Sequence, residues 1–266
     1  MGLLSRANTL DETKSNPGLV FSDFIKKYSL KTCIILEKLT DNYHVSNSLG
    51  LDASSIFSAT STSDFWDGTC PLKGKIYNFK DAEKTQLLQL FSFALKDNFS
   101  ELTLYKNSDS KILITDSTIS SQAALDFEKI NNEQSNNNLL SLNQFLQESS
   151  FVLLFEIDFY KAAESFFNSI KADNSLSFDL FLKAAANELY NRFTCRYNPS
   201  GISIKHNAHC IKTVIVTDKC YSVNLISHHI LLNLKELFDN HAELIQIKDC
   251  GTAVSCNQLK AFLQAE

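Results

Sequence analysis

The sequence predicts an α+β protein of two units, and three observations lead to that class. Glycine and proline are scarce, 7 and 3 in 266 residues, which disfavours a turn-rich all-β chain. Apolar residues recur with strand and helix periods in turn: helix–strand–strand–loop–strand–helix–strand–strand up to residue 117, then β-α-α-β-β-α-β from residue 151. Between these runs the stretch Asn131-Asn132-Glu133-Gln134-Ser135-Asn136-Asn137-Asn138 is polar and low in complexity. The expected organisation is a flexible tail at 1–18, a first domain at 19–117, a polar linker with short helices at 118–150 and a second domain at 151–266.

In the first unit, residues 20–28 suit a short helix with Phe21, Phe24 and Ile25 on one side. Residues 32–39 and 43–49 read as strands around the turn Thr40-Asp41-Asn42. A Ser/Thr/Asp-rich loop at 58–68 carries Phe65 and the only tryptophan, Trp66. A strand is expected at 75–79, and a strongly apolar helix at 82–98 with Leu87, Leu88, Leu90, Phe91 and Leu95. Such a helix is either buried or a subunit contact, so a homodimer is among the expected assemblies. Residues 101–105 and 111–115 read as a closing hairpin.

This unit resembles GAF- and PAS-type sensor domains, above all through Tyr43-His44-Val45-Ser46-Asn47-Ser48-Leu49-Gly50-Leu51-Asp52 after a first strand. Longin and roadblock modules share much of the same element order. The resemblance implies an antiparallel sheet with helices and a small-ligand pocket, for which Trp66 is the candidate wall residue.

The second unit opens with a continuous apolar strand at 151–157. A helix follows with Phe159, Ala163, Phe166, Phe167 and Ile170, then a second at 178–193 with Phe178, Phe181, Leu182, Ala185, Leu189 and Phe193 at helical spacing. Strands are expected at 194–197 and 202–205 around a turn at 198–201, and a further strand at 212–217. A third helix is expected at 222–241, a last strand at 244–247 and a terminal helix at 257–264.

That order resembles the diguanylate cyclase (GGDEF) family, a cyclase palm of ferredoxin-like type. The family's first strand ends Asp-x-Asp-x-Phe-Lys, matched here by Glu156-Ile157-Asp158-Phe159-Tyr160-Lys161. Its second helix matches Phe178-Asp179-Leu180-Phe181-Leu182, and its Arg-Tyr before the signature turn matches Arg196-Tyr197. The resemblance implies candidate ligand-binding residues Glu156, Asp158, Lys161, Asp179 and Arg196. Joining two nucleoside triphosphates needs divalent ions held by carboxylates on the strand and on the turn. The turn here reads Asn198-Pro199-Ser200-Gly201, without the second carboxylate or the close-approach glycines. Glu164 stands where the family reads the base with Asn. The expectation is loss of catalysis, with Mg²⁺ entering only alongside a bound nucleotide.

Composition narrows the function classes further. An apolar fraction of 44% with 20 Phe supplies cores, so global disorder is not expected. The net charge of −5 with scattered cations leaves no nucleic-acid footprint. No run of 18 apolar residues is present, so no membrane span is expected. Seven cysteines without a C-x-x-C pair, and an opening too polar for a signal peptide, fit reduced thiols in the cytoplasm. His206, His209, Cys210, Cys220, His228 and His229 lack the spacing of zinc motifs, so no metal site is expected. The overall expectation is a non-catalytic cytosolic signalling protein of bacterial type that binds a small ligand or nucleotide and a protein partner. An active cyclase with an unusual hairpin and a pure interaction adaptor are the alternatives.

Overall fold

The computed structural model describes residues 21–60, 66, 74–90, 101–107, 111–130, 151–170, 176–196, 202–206, 210–217 and 223–264. Two antiparallel sheets organise it. The first contains β1 (Cys33–Leu39), β2 (Asn42–Leu49), β3 (Ile76–Asn78), β4 (Thr103–Lys106) and β5 (Lys111–Thr115), in the order β2-β1-β5-β4-β3. The second contains β6 (Phe151–Asp158), β7 (Ile202–His206), β8 (Cys210–Thr217) and β9 (Gln246–Ala253), in the order β7-β8-β6-β9. The α+β class therefore holds, with antiparallel pairing in both sheets.

Strand alternation sorts the apolar side chains to the two faces of each sheet. In β1, Cys33 and Ile35 face one way and Ile34 and Leu36 the other. Helices α1 (Phe21–Tyr28) and α4 (Ser121–Phe127) cover the first of these faces through Phe21, Phe24, Ala123 and Phe127. On the opposite face, Ile34, Leu36, Val45, Leu104 and Ile112 join α2 (Ala53–Thr60) and Leu87 of α3 (Asp81–Leu90).

The second sheet is arranged alike. Val152, Leu154 and Val214 pack under α8 (Cys256–Gln264) through Leu259 and Leu263. Leu153, Phe155 and Ile157 point the other way, against α5 (Tyr160–Ser169), α6 (Phe178–Asn191) and α7 (Val223–Phe238). These inward faces of both sheets contribute to one continuous cluster of buried side chains. The resulting layers are outer helices, first sheet, inner helices, second sheet and α8.

Within the second sheet, β6 and β7 both run antiparallel to β8, which lies between them, so β6 and β7 are parallel to each other. Two strands parallel across an intervening partner, joined by helices, form a split βαβ unit. Helix α7 ends at Phe238, where Asp239 takes a left-handed backbone (φ 47°) and a 3₁₀ segment, Asp239–Leu244, leads into β9. Asp is one of the few side chains that visit that region without heavy strain. Among the described residues, no helix is long and apolar enough to cross a membrane.

Several sequence expectations need correction. Residues 53–60, for which the sequence predicts no element before the loop expected at 58–68, form a helix that runs into the start of that loop, because Asp52 Oδ1 accepts from Ser55 N at 2.7 Å and Ile56, Phe57 and Ala59 are buried. The strand expected at 194–197 is absent, since α6 continues into a π-helical turn, Arg192–Arg196, that keeps Phe193 in the core. The last strand is Gln246–Ala253 rather than 244–247, lengthened past a bulge at Gly251 (φ 86°). The expected helix at 82–98 is described only as Asp81–Leu90, and the Asn-rich stretch at 131–138 lies outside the described residues.

Helix α4 is pinned to α1 by one carboxylate. Asp126 accepts from Lys27 Nζ at 2.5 Å, Tyr28 Oη at 2.6 Å and Gln122 Nε2 at 3.0 Å. Lys27 first, then Tyr28, hold its carboxyl well below the usual carboxylate range. A depressed carboxylate adds stability that is complete above its unfolded pKa, about 4, and is lost as pH falls through the folded value. Asp126→Asn is therefore expected to lower the denaturation midpoint at pH 7, with the gap to the parent closing progressively below about pH 4. A gap that stays constant down to pH 2 would contradict this assignment.

Candidate functional site

Among the described residues that carry the cyclase resemblance, Asp158, Lys161 and Asp179 come to one end of the second sheet, while Glu156 is engaged within the sheet. Glu156 and Asp158 alternate onto the α8 face of β6 with Leu154. Glu156 accepts from the Cys210 thiol at 3.6 Å and pairs with Lys248 at 3.4 Å, and the Cys250 thiol lies 3.9 Å away. Burial, then the Glu156 charge, pushes the Cys210 thiol up to about 12 and raises that of Cys250. Both thiols are thus protonated at neutral pH and unsuited to nucleophilic work. Asp158 Oδ1 instead closes a local turn into α5 by accepting from Tyr160 N at 3.0 Å.

Lys161 and Asp179 sit exposed in the first turns of α5 and α6, which lie side by side because the Tyr160 and Phe178 rings meet edge to face at 5.5 Å. Asp158, Lys161 and Asp179 therefore share one end of the second sheet. Arg196 ends the π-helical turn and its side chain lies outside the described residues, as does the whole segment 197–201. The following strand starts at Ile202, level with Ile215 and hence with Leu153. That is five residues short of Asp158, or about 16 Å along the strand. The hairpin that does reach the Asp158 end joins His206 to Cys210, which pairs with Asp158 directly. The matched turn and the sheet's own hairpin are consequently different segments. Neither contains Asp or Glu: they read Tyr197-Asn198-Pro199-Ser200-Gly201 and His206-Asn207-Ala208-His209-Cys210. Among the described residues, no three His, Cys, Asp or Glu side chains are grouped to hold a metal.

Trp66 is fully buried and donates its indole N–H to the Ala59 carbonyl at 3.1 Å. It closes the inner core beside α2 rather than presenting a wall to solvent.

The polar side chains that the structure does gather belong to the end of α6 and the first residue of the π-helical turn, on a face that periodicity would leave to water. Asn187, Glu188, Asn191 and Arg192 lie at i and i+4 spacings, so they form one stripe. The stripe packs on β2, the edge strand of the first sheet. Asn187 Nδ2 donates to the Ser46 carbonyl at 2.8 Å and Asn191 Nδ2 to the Ser48 carbonyl at 2.7 Å. Glu188 accepts from Ser48 Oγ at 2.6 Å, from Gly50 N at 2.8 Å and from Arg192 Nε at 2.7 Å. Arg192 also donates to the Leu51 carbonyl at 2.5 Å, and to Asn233 O and Glu236 Oε2 on α7 at 3.4 and 3.3 Å.

The Glu188 and Arg192 side chains are 0% and 3% exposed. Two charges so deep are tolerated only because each is paired and further hydrogen-bonded. Gly50 is required at its position: its φ is 102°, and a Cβ there would meet Thr32 Oγ1 at 2.8 Å. An extra residue on β2, Ser46, shifts the register opposite Ile35 and Leu36 and so turns Ser48 toward α6.

Beside this clasp opens a cleft of about 620 Å³. Asp52 and Ser54 at the start of α2 form one wall, and Leu232, Lys235, Glu236 and Asp239 at the end of α7 the other. Phe166, Phe238 and His241 also line it. His241 meets the Phe166 ring edge to face at 5.6 Å, and its Nδ1 lies 3.1 Å from Ser165 Oγ. The cleft and the clasp share residues. Glu236 reaches back to Arg192, and Asp52 follows Leu51, whose carbonyl Arg192 binds. In volume and position, at the meeting of two layers, this is the kind of concavity that small ligands occupy. Comparison with protein-family models, curated proteins and solved structures returns no match for this chain.

Removing one member of the buried pair strands the other charge. Arg192→Met is expected to cost about 3–5 kcal/mol in urea denaturation, and Gly50→Ala about 1–3 kcal/mol through its strained backbone. The double variant Glu188→Gln/Arg192→Met should lose less than the two single losses summed, because no uncompensated charge remains. Strict additivity would mean that the two side chains do not act on each other.

Proposed function

We propose that this chain is a non-catalytic regulatory protein that takes a small ligand in the cleft between α2 and α7 and answers to a protein partner in the cytoplasm. The cleft carries the reading, because its walls come from elements packed on different sheets and share Glu236 and the Leu51–Asp52 backbone with the buried clasp. A ligand bridging those walls would favour one arrangement of the two layers over another, which is the physical content of a sensor.

The lineage suggested for the second half, a degenerate cyclase palm after a sensor-type sheet, belongs to the same proposal. The split βαβ order of β6 to β9 supports it. The lack of an acidic residue in either turn segment supports loss of catalysis, since in-line phosphoryl chemistry needs metal ions anchored by carboxylates. The engagement of Glu156 by Lys248 and the Cys210 and Cys250 thiols supports a structural role for that carboxylate.

A thermal-shift screen of small amines, acids, sugars and nucleotides against the purified chain tests the binding. A ligand at one hundred times its Kd should add about 2.7 kcal/mol, or roughly 5–10 °C for a body of this size. Leu232→Trp, which fills the cleft from its exposed rim, should abolish the shift while leaving the unliganded midpoint within about 2 °C. A shift that survives the substitution places the ligand elsewhere. Formation of a cyclic dinucleotide from GTP and Mg²⁺ or Mn²⁺ would overturn the non-catalytic reading.

A further inference from the structure

We infer that the occupant of the α2–α7 cleft is a small organic cation, an amine or guanidinium on an apolar body, and not a nucleotide. The inference rests on the cleft being a ligand site and adds the charge and shape of what fits it. Three carboxylates border the space, Asp52, Glu236 and Asp239, against one ammonium, Lys235. The nearby Arg192 does not redress that balance, because Glu188 neutralises it at 2.7 Å inside the core. Glu236 remains 49% exposed even while it accepts from Arg192, so its carboxylate faces both the clasp and the cleft.

Backbone dipoles favour the same sign. The last turn of α7 borders the cleft, and a helix C-terminus carries partial negative charge that attracts cations. The start of α2 would draw an anion, but Asp52 already caps it through Ser55 N. Phosphates would need cationic or N–H donors converging on one point. Lys235 is the one lysine or arginine among the described cleft residues; His229 and His241 also line the space, and one ring nitrogen of His241, Nδ1, already meets Ser165 Oγ.

The floor defines the rest of the ligand. Phe166, stacked on Phe181 at 5.6 Å, and Phe238, stacked on Phe159 at 5.7 Å, are held in place by ring neighbours. Phe238 is itself fully buried and backs the floor, so Phe166 and Leu232 offer the apolar surface beside the carboxylates, and the half-buried Phe166 ring also attracts a cation lying over it. A charged head near Asp239 and Glu236 with a hydrocarbon or aromatic body against Phe166 and Leu232 satisfies both features.

Three probes with one indole body and different heads separate charge from shape: tryptamine (cation), tryptophol (neutral) and indole-3-acetate (anion). Titrated calorimetrically into the full chain, tryptamine should bind about ten-fold more tightly than tryptophol, equivalent to 1.4 kcal/mol, and indole-3-acetate more weakly still. Agmatine and phenethylamine extend the cation arm to other bodies. Asp239→Asn keeps a residue type that accepts the left-handed backbone; it should weaken tryptamine several-fold and leave tryptophol unchanged. Higher salt should weaken tryptamine alone.

Equal or tighter binding of indole-3-acetate overturns the inference, as does silence from all three amines in a protein whose cleft accepts another compound blocked by Leu232→Trp. In those cases the cleft remains a ligand site. Silence from every compound in both screens removes the ligand site and this inference together.

Discussion

The arrangement depends on one buried ion pair. Glu188 and Arg192, one helical turn apart, leave the last two turns of α6, Ala184–Asn191, buried all round: apolar side chains fill the second sheet's side, and the charged stripe fills the first sheet's edge. A helix buried nearly all round is normally apolar all round. This one uses carboxylate, guanidinium and two carboxamides to answer backbone groups that an edge strand leaves unpaired. Edge strands invite pairing with other chains, and here that edge is occupied by the protein's own side chains. The gain is geometric specificity, because a hydrogen-bonded charge pair tolerates little displacement before it is left uncompensated.

The same pair explains why cleft and core are linked. Arg192 touches both the start of α2, through the Leu51 carbonyl, and α7, through Glu236 and the Asn233 carbonyl. Those two elements are the walls of the cleft. A change in wall spacing therefore alters hydrogen bonds to a buried charge, where small displacements matter far more than at a solvated surface. The exposed ion pair of Glu156 and Lys248 has no such leverage.

Much of the skeleton is legible in the amino-acid order. The apolar runs at 33–36 and 151–155 and the periodic Phe178, Phe181, Leu182, Ala185 and Leu189 each specify an element, and the last of them also the face it buries. The site is not legible in the same way. Asn187, Glu188, Asn191 and Arg192 look like a solvated helix face, and only the approach of a strand 140 positions away converts them into a buried clasp. Gly50, followed by the capping Asp52, is the one local signal that could have pointed there: a glycine after a strand marks a close approach. The strand expected at 194–197 fails for a related reason. Its Cys195 is apolar enough for either structure, and the burial of Phe193 just before it carries the helix on. A matched turn at 198–201 was thereby placed one segment before the hairpin that meets Asp158.

The central claim is that the clasp fastens the two sheets into a single cooperative body. Native-state hydrogen exchange reads this directly, because amides in one unit open together at the global free energy. The slowest amides of β1 and of β6 should share one opening free energy and respond equally to low denaturant. Two separate plateaus, with β6 opening while β1 stays closed or the reverse, would show that the sheets unfold independently and that the clasp does not join them.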